Sequence, residues 1–206
     1  LPGVMLASAA QRLLYRYAVK PMSKAVVLTA NADGYRATLD LMAQGITVAA
    51  IVDLRQKAGF SDAETAVHDA RVRVIPGHCI VEAIAESGGQ SVAGARIGRF
   101  SGDFTMPQVA ETLDCDGIIV SVGWAPTAGL LYQSGTRMRY DSTLEQFVPG
   151  ELANGVFACG KVNGVHELSA KIADGTRAGS AAASAAGHGE ALDVIADGLH
   201  LAGHLQ

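Results

Sequence analysis

The sequence predicts an α/β fold, a parallel sheet with covering helices to which small antiparallel hairpins are added. Three observations predict it. Residues Ala25 to Asp53 read as strand, turn, helix and second strand, and a helical crossover of that kind joins two parallel neighbours. Residues Val156 to about Ala186 read as a buried strand, a tight turn through Gly160 and Gly164, and a long helix of small residues from about Glu167. Of the 206 residues 49% are hydrophobic but only 5% aromatic, and 24 are glycine, a balance that favours α/β layers over an aromatic-rich sandwich.

Charge and cysteine usage narrow the function classes. A net charge of −4 leaves no basic footprint for nucleic acid. Cys79, Cys115 and Cys159 are odd in number and far apart, and no Cys-x-x-Cys is present, which removes a redox dithiol and a zinc ribbon together. Each lies in an apolar run and is expected as a small buried hydrophobe in a reducing cytoplasm. No apolar run reaches membrane-spanning length, and no secretory signal is seen. The chain opens Leu1-Pro2-Gly3-Val4-Met5, with no initiator Met and no leading strand, so a piece of a longer polypeptide is expected.

Taken in order, Val4 to Val19 places Leu6, Ala10, Leu13, Leu14 and Tyr17 on one helical face, with Pro21 as the stop. Ala25 to Ala30 is a strand and Asn31 to Gly34 a turn. Tyr35 to Gln44 is a helix closed by Gly45, and Ile46 to Val52 a second buried strand ending at Asp53. Ser61 to Ala70 is a helix with Asp62 and Glu64 in its first turn, where the helix dipole favours acids. Val72 to Ile75 is a third strand. Cys79 to Ala85 and Ser91 to Ile97 form a hairpin around Ser87-Gly88-Gly89-Gln90. Leu113 to Val122 reads as one more strand, leading to Trp124, expected in a core or a domain interface. Arg137 to Tyr140 and Gln146 to Val148 form a second hairpin. Residues 187–206 read as a linker or tail, with His188, His200 and His204 too scattered to be ligands.

Two places are candidate cofactor sites, and neither carries a catalytic or metal-binding constellation. The first is the turn after the opening strand, with Asn31 and, about twenty residues on, Asp53, where a nucleotide fold binds the adenosine ribose and favours NAD. Its glycines are wrong. A dinucleotide turn wants Gly-x-Gly-x-x-Gly, whereas Thr29-Ala30-Asn31-Ala32-Asp33-Gly34 offers a carboxylate where phosphate would sit, and Asp53 followed by Arg55 suits a solvated strand end. The second comprises Gly160, Lys161, Gly164, Val165 and Glu167, where a helix N-terminus with unpaired N–H groups suits a pyrophosphate.

The order of helix, βαβ unit, hairpin, Asp116-Gly-Ile-Ile-Val-Ser-Val-Gly-Trp-Ala-Pro126 and Val156-Phe-Ala-Cys-Gly160 resembles the back half of the pyridine nucleotide–disulfide reductase class, with its two FAD/NAD(P)-binding, Rossmann-like domains. More closely, Leu1-Pro-Gly-Val-Met-Leu-Ala-Ser-Ala-Ala10, Arg16-Tyr-Ala-Val19, Thr29-Ala-Asn-Ala-Asp-Gly-Tyr35 and Tyr132-Gln-Ser-Gly-Thr-Arg-Met-Arg-Tyr-Asp141 resemble the alpha subunit of heterotetrameric sarcosine oxidase. That resemblance implies an assembled flavoenzyme that oxidatively demethylates sarcosine to glycine, with beta, gamma and delta subunits as partners and tetrahydrofolate as a possible methylene acceptor. It implies NAD in the alpha subunit, and FAD and FMN on or shared with partner subunits. It implies that residues 1–20 and 108–186 complete a first dinucleotide-binding domain into which 21–107 is inserted as a second. Lys161 stands where flavin reductases of the class place an Asp on the ribityl chain, which argues against FAD there and is compatible with NAD. A non-catalytic, subunit-docking domain with vestigial nucleotide sites is the alternative. A disulfide reductase is disfavoured by the missing cysteine pair. In either case the fragment alone is expected to be inactive.

Overall fold

A computed structural model describes residues 1–57, 59, 61–102, 105–144 and 146–189. The chain divides into two compact units, unit 1 from Leu1 to Gly123 and unit 2 from Trp124 onward.

Unit 1 contains β1 (Val4–Leu6), α1 (Ala7–Tyr17), β2 (Lys24–Thr29), α2 (Ala32–Ala43), β3 (Thr47–Asp53), α3 (Asp62–Asp69), β4 (Val74–Pro76), β5 (His78–Ala85), β6 (Val92–Arg99), β7 (Val109–Asp114) and β8 (Gly117–Ser121). Five strands form a wholly parallel sheet in the order β1-β8-β2-β3-β4, and β5-β6-β7 form an antiparallel meander. Side chains alternate across a strand, so β2 sends Ala25 and Val27 to one face of the sheet and Val26 to the other. The first face is covered by Ala10 and Leu14 of α1, Tyr35, Ala37 and Leu41 of α2, and Val67 of α3. The second is covered by Val92, Ala95 and Ile97 of the meander. Burial on both faces explains why β2 and β3 read as continuous apolar runs.

The caps follow local chemistry. Asn31 caps α2, its side-chain oxygen accepting the Asp33 amide at 3.0 Å. Beyond that helix Gly45 adopts φ +71°, and the Gly45 and Ile46 amides reach back to Met42 and Leu41. Ser61 and Glu64 form a reciprocal capping box at α3.

Two sequence expectations about unit 1 give way. A leading strand exists: Val4, Met5 and Leu6 pair with Ile118, Ile119 and Val120, so the helix begins only at Ala7 and buries Ala7, Ala10 and Leu14, while Leu6 and Tyr17 are exposed. The run from Leu113 is two strands, because the chain leaves the meander at Asp114 and enters the parallel sheet at Gly117. Between them Asp116 accepts the Ser23 and Lys24 amides at 2.6–3.0 Å, pinning the start of β2. β1, β7 and β8 are hydrogen-bonded into the sheets of unit 1, which carries them and α1 with 21–107.

Unit 2 contains α4 (Gly129–Gln133), β9 (Arg137–Asp141), β10 (Gln146–Glu151), a 3-10 turn at Gly160–Asn163 and α5 (Leu168–Ala185). β9 and β10 pair as an antiparallel hairpin, with Tyr140 opposite Phe147 and their rings edge-to-face at 5.4 Å between centroids. The long helix lies where its composition predicts. The preceding strand does not form: the backbone at Cys159 is extended, but residues 156–159 have no ladder partner among the described residues and Phe157 is exposed. From residue 190 the expected tail lies outside the described residues, with His200 and His204.

Candidate functional site

Open parallel sheets bind ligands outside the carboxyl ends of their strands. In unit 1 that edge brings together Thr29, Asn31, Asp53 and Ser121. Thr29 of β2 is the register partner of Asp53 on one side and of Ser121 on the other. Its hydroxyl lies within donating distance of the Asn31 and Ser121 carbonyls (2.8 and 3.0 Å) and accepts the Asn31 amide at 3.2 Å. The Ala30 amide also donates to the Ser121 carbonyl at 3.2 Å.

Asp53 is not a solvated strand end. It is 0% exposed and surrounded by donors from this same chain. One oxygen accepts the Tyr35 hydroxyl (2.8 Å) and Arg55 Nη2 (2.7 Å), and the other accepts Arg55 Nε (3.1 Å) and the Arg55 amide (2.9 Å). Four donors meet the acceptor capacity of a carboxylate. Arg55 continues the chain of contacts, Nη2 also reaching Glu64 at 2.7 Å, and Glu64 further accepts the Gly59 amide and both the amide and hydroxyl of Ser61. Burial and the hydrogen bond to Asp53 push the Tyr35 hydroxyl well above its ordinary value. Bonding to Asp53, followed by Glu64, raises the Arg55 guanidinium despite the opposing effect of burial.

For Glu64, burial alone would raise the carboxyl, but the two bonds from Ser61 with those from Arg55 and Gly59 outweigh it and hold the group at about 2 against an ordinary 4.5. A carboxyl depressed on folding stabilises the protein above its unfolded value, and that stability is lost as pH falls through the folded one. Glu64 is therefore expected to contribute roughly 3 kcal/mol at neutral pH. Urea denaturation of the wild type should show that contribution fading between pH 4.5 and about 2. In Glu64→Gln the corresponding part of the decline should be missing.

In unit 2 one of the predicted residues, Gly160, is bonded to a different buried acid. Gly160 has φ +73° and Gly164 φ +80°, the left-handed region, and a Cβ on Gly164 would lie 2.5 Å from the Leu144 side chain. The Gly160 amide donates to Asp174 at 2.7 Å, so it is engaged inside the fold. Asp174 also accepts Arg177 at 2.7 and 3.2 Å and, at 3.4–3.5 Å, the side-chain Nδ2 of Asn163. Val165 is buried. The Lys161 ammonium sits 3.6 Å from the centroid of the Trp124 ring, a cation–π contact, and its carbonyl accepts Gln146 at 3.2 Å. Glu167 is the N-cap of α5 and makes no side-chain capping bond, and no acid lies in the first turn of that helix.

Sequence reasoning missed Tyr35, Arg55, Glu64, Asp174 and Arg177 as members of these clusters. Spacing could have found two pairs: Asp174 and Arg177 are i,i+3 on a helix, and Asp53 and Arg55 are i,i+2 at a strand end. Trp124 is not a core residue, being 47% exposed. Of the cysteines only Cys115 is buried; Cys79 is half-buried and Cys159 exposed. Among the described residues no group of three or more His, Cys, Asp or Glu is placed to hold a metal ion, and no helix is long and apolar enough to cross a membrane.

No family model matches the chain. Among curated proteins, it is 32% identical over 188 residues to sarcosine oxidase subunit alpha of Corynebacterium sp. (strain P-1), a match that covers 90% of this chain and 19% of that subunit. It is 29% identical over 175 residues to the corresponding subunit of Rhizobium meliloti (strain 1021), covering 84% of this chain and 16% of the relative. The chain thus spans about a fifth of the length of the curated relatives it matches. Solved structures of similar fold include thioredoxin reductase of Lactococcus lactis (TM-score 0.65, 17% identity, 89% of this chain and 57% of that one). Thioredoxin reductase of T. acidophilum is another (TM-score 0.56, 16% identity, 91% and 57%). These likenesses show a Rossmann-like fold shared with the thioredoxin reductases.

Proposed function

We propose a role for this chain from the premise that it is a segment of the sarcosine oxidase alpha-subunit family. On this reading it is a non-catalytic part of a cytoplasmic flavoenzyme. In the assembled enzyme sarcosine, dioxygen and water become glycine, formaldehyde and hydrogen peroxide, or the methylene group passes to tetrahydrofolate. The amine-oxidising FAD and the FMN lie on or are shared with the beta, gamma and delta partners, and the described residues of this chain supply neither an acid/base pair nor a nucleophile. Its own contribution is to help hold NAD through unit 2.

The observation that carries this reading is the start of α5. The first-turn amides of an 18-residue helix carry partial positive charge, and no capping hydrogen bond or first-turn acid engages them, the Glu167 carboxylate at the N-cap being the one acid beside them. Lys161 adds a full charge on the turn just before it. Such a combination suits a pyrophosphate. The fit is narrower than the sequence implies, since the Gly160 amide is committed to Asp174 and Val165 is buried. Lys161 and the amides from Leu168 onward are the groups left to hold the phosphates.

Lys161→Glu tests this without touching the left-handed glycines, whose replacement would disturb the turn for reasons unrelated to ligand. In the full-length protein the charge reversal is expected to weaken NAD binding by tenfold or more. Unchanged NAD content with native circular dichroism would defeat the assignment. A second reading, subunit docking alone, is favoured by large apolar side chains exposed on unit 2, namely Leu130 (80%), Leu168 (70%) and Ile172 (64%).

A further inference from the structure

We infer that the nucleotide-type crevice of unit 1 is filled from within by the chain's own side chains, and that this unit is a scaffold that takes no dinucleotide. The topology sets out every part of such a site. A central parallel strand runs through a turn into a helix, the neighbouring strand ends in an acid in register with that turn, and the strand order reverses beside it. The chemistry at each position has been replaced.

In a dinucleotide turn the first two glycines bring the backbone to the pyrophosphate and the third lets the helix pack closely on the strand. Thr29 and Asn31 stand at the first two places and Gly34 at the third. Only the packing role survives, for a Cβ on Gly34 would meet the Thr29 side chain at 2.3–2.4 Å. Three donors of that turn are used internally: the Ala30 amide goes to Ser121, the Asn31 amide to Thr29 Oγ1 and the Asp33 amide to Asn31 Oδ1. The place from which an acid reads the ribose diol is held by Asp53, whose buried carboxylate is already bonded to Tyr35 and Arg55.

Charge excludes the phosphorylated ribose as well. Arg55 would be the group to receive a 2′-phosphate, but it lies between the carboxylates of Asp53 and Glu64 at 2.7 Å each, so the cluster is net negative. A phosphate could take the guanidinium only by leaving one of two buried carboxylates unpaired.

This inference concerns unit 1 and does not rest on the NAD reading of unit 2. Its test is calorimetric titration of the full-length protein with NAD and with NADP, for the wild type, Tyr35→Phe and Asp53→Asn, alongside circular dichroism. Tyr35→Phe removes one hydroxyl and keeps the ring in place, so it remains informative even if Asp53→Asn fails to fold. The expected result is a dissociation constant and stoichiometry for Tyr35→Phe within twofold of the wild type. Absence of saturable binding in the wild type also supports the inference, and defeats only the reading of unit 2. A tenfold or greater loss in a natively folded Tyr35→Phe overturns the inference, as does recovery of a photoactivated NAD analogue on residues 29–57. Loss of NAD in Lys161→Glu, by contrast, bears on unit 2 alone.

Discussion

Replacing Asp53 with alanine is expected to destabilise unit 1 by roughly 3–5 kcal/mol, the cost of breaking a buried ion pair from one side. The carboxylate accepts four hydrogen bonds and none of its surface reaches water. Without it the Tyr35 hydroxyl, on a residue that is itself buried, loses its acceptor, and Arg55 keeps Glu64 and the face of the Tyr35 ring. Domains commonly have only about 5–15 kcal/mol of stability, so the variant should unfold at a much lower urea concentration. Far-UV circular dichroism would follow the transition, and hydrogen exchange would show whether β2 and β3 lose protection first. Asp53→Asn retains an acceptor for Tyr35 and should be milder. Combining Asp53→Ala with Arg55→Ala should cost less than the sum of the two, because the second change removes the guanidinium left partly unmatched by the first. A loss below 1 kcal/mol for Asp53→Ala would contradict this account.

Gly34→Ala is expected to lower stability by about 3 kcal/mol, at the upper end of overpacking costs and opposite in sign to the usual helix preference for alanine. The new methyl would fall 2.4 Å from the Cβ of Thr29 and 2.3 Å from its Oγ1. A Cβ is fixed by its own backbone, so no rotamer of Thr29 relieves the overlap and α2 must move off the sheet. That displacement would also strain the bond from the Thr38 hydroxyl to the Gly34 carbonyl. Adding Thr29→Gly removes the obstructing atoms and should recover much of the loss, giving a double variant more stable than Gly34→Ala alone. Thermal unfolding of the four proteins in that cycle measures the coupling.

Much of the fold was legible because its signals were local. The Ser61–Glu64 spacing marks a capped helix, Asn31 and Gly45 bracket another, and the valine-rich runs of β2 and β3 are those of strands buried on both faces. What the sequence hid was non-local. Val4 to Leu6 fits a helical period as well as a strand, and β8, more than a hundred residues on, decides between them. Val156 to Ala158 has the composition of a strand, but a strand also needs a neighbour to bond with. The candidate site divides in the same way. The absence of glycine at Thr29 and Asn31 could be read directly, whereas the inward turn of Asp53 depends on Tyr35 and Arg55 both reaching it. The attraction of Gly160 for an anion was likewise foreseeable, but not that Asp174, fourteen residues later, would be the anion.

The position of β8 beside β2 has a consequence for how the chain acquires its structure. The amide of Lys24 finds the Asp116 carboxylate 92 residues further on, and Ala25 pairs with Gly117 over the same separation. At a synthesis rate of roughly 5–20 residues per second, the inner edge of the sheet stands open for about 5–20 s before its partner emerges. That edge carries Ala25, Val26, Val27 and Leu28, uncharged and rich in β-branched side chains, the composition that favours pairing with another copy. Slower elongation should therefore lengthen the exposure and lower the soluble yield, whereas making fewer chains at once should raise it, since open edges then meet less often.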